Sequence, residues 1–231
     1  MTEKQAPPFK LSAKINLPVP EIIPLDRSLV AYQIPDVKQE ITKIEIVFKA
    51  GKWFDPKPGV SHFTSQMLDK GTADLTSSAI AEFFDQYGAF IEINPGADFV
   101  SISLYSLNKN INKVFPTFLQ IITESTFPKK ELDQTKESFL QSLKINKQKS
   151  SYLASKAINQ GVFGTDHPYG RSIEEDNVIN LSVEDLISYH FHFMNPYKVF
   201  IVGKSTNEII DRLKNAFPLT NSNYEFSPKR K

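Results

Sequence analysis

The chain has 231 residues and carries 27 Lys+Arg against 26 Asp+Glu, a formal net charge of +1. That length supports one large domain or two small ones, and the 40% hydrophobic and 23% charged content excludes a disordered or collagen-like chain. Charge this close to balance excludes a polyanion binder driven by bulk charge. With no cysteine, disulfides, thiol catalysis and thiolate metal sites are all excluded, so any metal would need His, Asp or Glu.

Pro7, Pro8, Pro18, Pro20 and Pro24 make residues 1–24 an extended arm rather than a helix. A domain over residues 25–220 and a polar, basic tail over 221–231 complete the chain. Leu29–Tyr32 and Lys43–Phe48 read as strands, the second alternating until Gly51, and together they predict a hairpin. Gly59–Lys70 predicts a helix closed at Gly71. Thr76–Tyr87 predicts another, with Ile80, Phe83, Phe84 and Tyr87 at helical spacing and Gly88 as its stop. Ala89–Asn94 and Phe99–Leu107 predict a second hairpin about the turn residues 94–98.

Three helices are expected next. One carries Val114, Phe115, Phe118, Leu119 and Ile122, with Pro116 in its first turn or at a kink; the others span about 129–147 and 152–163. Beyond a polar loop, Ser182 and Asp185 form a capping box for a helix that stops before Pro196. Tyr197–Val202 predicts a strand, and Ser205 with Glu208 a cap for a last helix bearing Ile209, Ile210, Leu213 and Phe217. This order describes an α+β domain, a mainly antiparallel sheet covered by helices. The first residues lack an apolar stretch of signal-peptide length, and none later reaches the roughly 18 residues of a membrane span. The expectation is a soluble, cytoplasmic protein.

The segments Ala50-Gly51-Lys52-Trp53-Phe54-Asp55 and Gly59 to Thr72 resemble the zinc-site region of the inverted-motif metallopeptidases, the pitrilysin, insulinase and mitochondrial processing peptidase family. The resemblance continues through His167-Pro168-Tyr169-Gly170-Arg171, Asn195-Pro196 and the strand Val199 to Gly203. It implies a processing-peptidase-like half-subunit, the amino-terminal one of two. In active relatives the helix reads His-x-x-Glu-His: two imidazoles one turn apart hold zinc and the Glu is general base. Here His62 is kept, but Ser65 stands at the Glu position and Gln66 at the second His.

The third ligand of the family, a Glu on a later helix, falls 76 positions after Gln66, at Ser142, and a further family Glu at Thr135. The resemblance therefore implies a degenerate zinc site at His62, Ser65, Gln66, Thr135 and Ser142, with no catalytic residue and no cofactor, although catalytic relatives hold zinc. Glu137, the nearest acid, lies five residues before Ser142 and points to another side of the helix.

The other candidates take ordinary readings. His62 is a hydrogen-bonded side chain on a half-buried helix, His167 stabilises its Pro-Tyr-Gly turn, and His190 and His192, two residues apart, share no helical face. Lys144, Lys147 and Lys149 form a solvated helix end. The Phe and Tyr residues fall at core spacing, so nucleic acid is not an expected partner.

The resemblance and its replaced positions together imply a pseudoenzyme: a non-catalytic subunit that forms a chamber wall, binds extended peptides and pairs, as a dimer or heterodimer, with a catalytic zinc-peptidase subunit. A structural subunit of a larger assembly and a stand-alone peptide-binding module are the alternatives.

Overall fold

A computed structural model describes residues 17–26, 29–35 and 38–217; the expected tail over 221–231 and most of the proline-rich arm lie outside these residues. Six strands, β1 (Glu21–Pro24), β2 (Val30–Ile34), β3 (Ile41–Phe48), β4 (Phe90–Pro95), β5 (Val100–Leu107) and β6 (Pro196–Val202), form one sheet in the order β1-β2-β6-β3-β5-β4. Every pairing is antiparallel except β2 with β6. Period-two alternation builds the core face. Thr42, Ile44, Ile46 and Phe48 of β3 are fully buried, as are Val100, Ile102 and Leu104 of β5 and Val199 and Ile201 of β6.

The β4–β5 hairpin forms as its turn residues predict, but the first expected hairpin does not. β6 lies between β2 and β3, with Ala31 opposite Val199 and Ile44 opposite Ile201. A strand with two fully buried core residues satisfies more backbone groups at the centre than at an edge, and local alternation carries no sign of it. β1, at the end of the expected arm, closes one edge, and β4 is the other.

The helices are α1 (Val60–Met67), α2 (Ser77–Gln86), α3 (Ile111–Thr123), α4 (Lys129–Asn146), α5 (Ser150–Phe163), α6 (Glu175–Ile179), α7 (Val183–His190) and α8 (Asn207–Ala216). They supply Phe63, Phe115 and Phe118 to the same core as Ile44, Ile102 and Val199. Three local expectations are refined or changed. Pro116 sits inside α3 beyond its first turn, which leaves the kink as the alternative, beside the buried row Val114, Phe115, Phe118, Leu119 and Ile122.

The cap of α8 is Thr206, whose side chain accepts from the Ile209 N–H. Ser205 instead donates to Gln33 Oε1 at 2.8 Å, satisfying a buried amide. The loop before α7 contains α6, entered where the Asn177 side chain accepts from the Glu174 N–H at 2.9 Å. Among the described residues, no helix is long and apolar enough to cross a membrane.

Candidate functional site

α1 carries the motif residues and packs on β4 and on α4. Its start is built by two glycines and one carboxylate. Gly51 lets residues 51–53 clasp the β4–β5 turn, donating to the Asp98, Gly96 and Ala97 carbonyls; a Cβ at Gly51 would come within 2.5 Å of the Ala97 oxygen. Gly59 precedes the helix at φ +104°, a left-handed conformation open to glycine. Asp55 accepts the Ser61 N–H at 2.5 Å and the Gly59 N–H at 3.2 Å, and so caps α1 from outside it. Burial lifts the Asp55 pKa to about 6, against the opposing pull of these donors and of Arg171.

One turn on, the motif face packs against α4. The His62 ring packs against Phe63 and Phe139, with centroids 5.4 and 5.2 Å away, and Phe63 and Phe139 touch each other at 5.2 Å. Burial lowers the His62 pKa, so the imidazole is held neutral. Ser65 is fully buried and donates to the Ser61 carbonyl at 2.7 Å, as Thr64 does to Val60 at 2.8 Å. Thr135 on α4 donates to the Glu131 carbonyl at 2.8 Å and lies against Met67. Each hydroxyl is thus turned back onto its own helix.

The structure places His62 and Thr135 at the contact of α1 with α4, where the α4 side chain against His62 is Phe139, while Ser65 bonds to its own helix and Gln66 is half-buried. Ser142 is exposed on the following turn, and Glu137 and Glu82 are exposed as well. This donor set does not fit a zinc ion. It offers one neutral imidazole, hydroxyls already bonded to helix carbonyls and an amide, with an aromatic ring across from the imidazole. Among the described residues, no group of three or more His, Asp or Glu side chains is placed to hold a metal.

The remaining histidines are structural. His167 Nδ1 accepts the Tyr169 N–H at 3.1 Å, and its ring packs on Trp53 and Phe163. His190 Nε2 meets the Ile122 carbonyl at 2.6 Å, whereas His192 packs on Tyr189 and Phe191, and burial drives its pKa down to about 4. In the lysine run, Lys147 pairs with Glu174 at 2.9 Å and Lys149 donates to Asn146 at 2.9 Å.

Beside the contact of α1 with α4 lies a cavity of about 370 Å³, lined by Lys52, Asp55, His62, Gly96, Arg171 and Ser172, and by Pro95 at the end of β4. The motif points to His62 but not to Lys52, Asp55, Phe139 or Arg171. Lys52, Asp55 and Arg171 stand inside the segments that carry the resemblance, and only the approach of the 167–173 loop to α1 joins them.

The motif helix α1 is laid on the edge strand β4 of a six-stranded sheet. The insulinase family, peptidase family M16, matches residues 31–176, and the chain belongs to that family. Uncharacterized zinc proteases of Rickettsia bellii (strain RML369-C) and Rickettsia felis (strain ATCC VR-1525 / URRWXCal2) are each 26% identical over 148 residues, covering 63% of this chain and 35% of theirs. The uncharacterized zinc protease YmxG of Bacillus subtilis (strain 168) is 23% identical over 145 residues, covering 62% of this chain and 35% of its own. This chain therefore matches about a third of the length of those relatives.

Among solved structures, the peptidase M16 inactive domain from Pseudomonas fluorescens superposes with a TM-score of 0.79 at 22% identity, covering 86% of this chain and 51% of that one. A protease from Helicobacter pylori gives 0.78 at 14% identity, with 89% and 52% covered. The first half of the periplasmic protease PqqL from Escherichia coli gives 0.72 at 17% identity, with 86% and 45% covered.

Proposed function

We propose that this chain is a non-catalytic half of an M16-type peptidase assembly, which binds extended peptide along the outer edge of β4 and pairs with a homologous, metal-bearing partner. One observation carries the reading: the place on α1 and α4 where a hydrolytic site would stand is filled by His62 packed against Phe139 and by hydroxyls bonded to their own helices. Peptide hydrolysis on zinc needs three protein ligands and an open fourth position, which this packing does not provide.

The edge position of β4 supports the peptide role, because an added strand is held by backbone hydrogen bonds that tolerate many sequences. α1 lies against that strand, so a peptide added there would run past His62. The pairing role is supported by the match to about half of each solved neighbour's chain, one of them called an inactive domain and another a first half.

The test begins with elemental analysis of untagged protein purified without chelator, followed by addition of a catalytic relative and a peptide substrate. The expected result is no stoichiometric zinc, no cleavage by the lone chain, and cleavage enhanced when both are present. Stable association without any effect on cleavage would instead establish a structural subunit. One tightly held zinc per chain with hydrolysis by the lone protein would overturn the reading. The double variant Ser65→Glu/Gln66→His is also expected to remain inactive, since Ser142 supplies no carboxylate.

A further inference from the structure

The cavity at the end of β4 has a charge pattern of its own. Lys52 and Arg171 line it and also line a second cavity of about 250 Å³ on their other side. Lys52 donates to the Tyr169 carbonyl at 3.3 Å and lies 5.8 Å from that ring's centroid; Arg171 donates one N–H to the Asp55 carbonyl at 3.4 Å. A guanidinium has five N–H donors in a planar fork, so most of the Arg171 fork is left over. Among the described residues, neither cation is ion-paired with a carboxylate, whereas Lys156 at the second cavity is taken by Glu174 at 2.5 Å.

The carboxylate inside the cavity, Asp55, attracts Arg171 but forms no ion pair with it among the described residues. Both oxygens of Asp55 are turned to the Gly59 and Ser61 amides at the start of α1. Lys52 is anchored by the 167–171 loop, reaching the Tyr169 carbonyl while Tyr169 donates to Asp98 at the β4–β5 turn, and Arg171, from that loop, reaches back to the Asp55 carbonyl. Pre-placed, half-buried cations beside an apolar wall of Pro95, Pro168 and Ile173 are the elements of an anion subsite.

We propose that this cavity is a carboxylate subsite in which Lys52 and Arg171 together hold an acidic group of the bound peptide, making the chain a receptor for acidic peptides. The proposal rests on the reading of β4 as the peptide edge, because Pro95 ends that strand at the cavity. The carboxylate has two sources, an Asp or Glu side chain or the peptide's own carboxy terminus, and the chemistry at the two cations is the same for both.

The experiment titrates the intact chain with three labelled peptides of one sequence: an amidated peptide with a single Glu, its Gln counterpart, and the Gln peptide with a free carboxy terminus. At low salt the Glu peptide or the free-terminus peptide is expected to bind about tenfold more tightly than the amidated Gln peptide. Lys52→Gln and, separately, Arg171→Lys should each remove most of that preference, read as the ratio of Glu-peptide to amidated-Gln-peptide affinity within each variant. A blocked N-acetylglutamate amide alone is titrated in parallel, read by NMR shifts at Arg171 and His62.

Equal binding of all three peptides, with no shift from the blocked glutamate, would overturn the carboxylate subsite and leave the peptide edge standing. Shifts that vanish in Lys52→Gln, with no peptide bound, would uphold the subsite and overturn the edge. A preference that survives both substitutions would overturn the assignment to these residues.

Discussion

The contact between α1 and α4 and the cavity beside it share His62 and differ in almost everything else. The contact is packed and largely apolar: an imidazole whose pKa burial lowers, two phenylalanine rings, and hydroxyls returned to their helices. The cavity is open and charged, with an ammonium and a guanidinium whose donors exceed the acceptors supplied. Replacing acids and imidazole by neutral groups at the first place leaves a packed helix pair, since carboxylates gathered there without a cation would repel one another. The fold does not depend on the motif positions, because its stability comes from the apolar rows beneath.

The largest expected effect breaks the packed side. Phe63 is fully buried, and Phe63→Ala should cost about 3–5 kcal/mol by urea denaturation. A cost below about 1 kcal/mol would mean the contact is not held by packing.

The second sharpens the charged side. Because burial raises the folded pKa of Asp55 to about 6, its contribution to stability is fully present below the unfolded carboxylate range and is lost as pH rises through about 6. Wild type minus Asp55→Asn should therefore fall by about 2–3 kcal/mol between pH 4 and pH 7. His192 runs the other way. With its folded pKa lowered to about 4, its contribution is present above the unfolded value and is lost as pH falls through about 4. A flat difference for Asp55→Asn would show that its carboxylate is solvated.

Gly59→Ala comes third. A Cβ at φ +104° is strained whatever space surrounds it, and a loss of about 1–2 kcal/mol is expected together with a displaced start of α1, visible in amide exchange at Ser61 and His62. The smallest effect tests the serine at the motif's acid position. Ser65→Ala removes one donation to the Ser61 carbonyl, and its cost should be near 1 kcal/mol or less, with no change in bound metal. A large loss, or a change in metal content, would assign Ser65 a role beyond its own helix.

Much of the local structure was legible because its signals are local. Thr76 and Gly88 bracket α2, Ser182 and Asp185 open α7, and the turn around Gly96 joins β4 to β5. The absence of an acid at Ser65 and of imidazole at Gln66 could be read directly from the motif. The position of Phe139 over His62 could not, since it depends on how α4 is rotated against α1. Nor could the choice of Thr206 over Ser205 as a cap, which the buried amide of Gln33 decides.

By itself, then, the sequence determined which segments are helix or strand, the family they resemble, and the loss of ligating side chains, because period, caps and residue chemistry act over one or two turns. Tertiary structure alone decided that β6 enters between β2 and β3, and that Arg171 comes to Asp55 across 116 positions of chain. Both are settled by burial and backbone pairing summed over the whole sheet. That sum has no local signature, and it is what turns a decayed motif and a loop arginine into neighbours of one cavity.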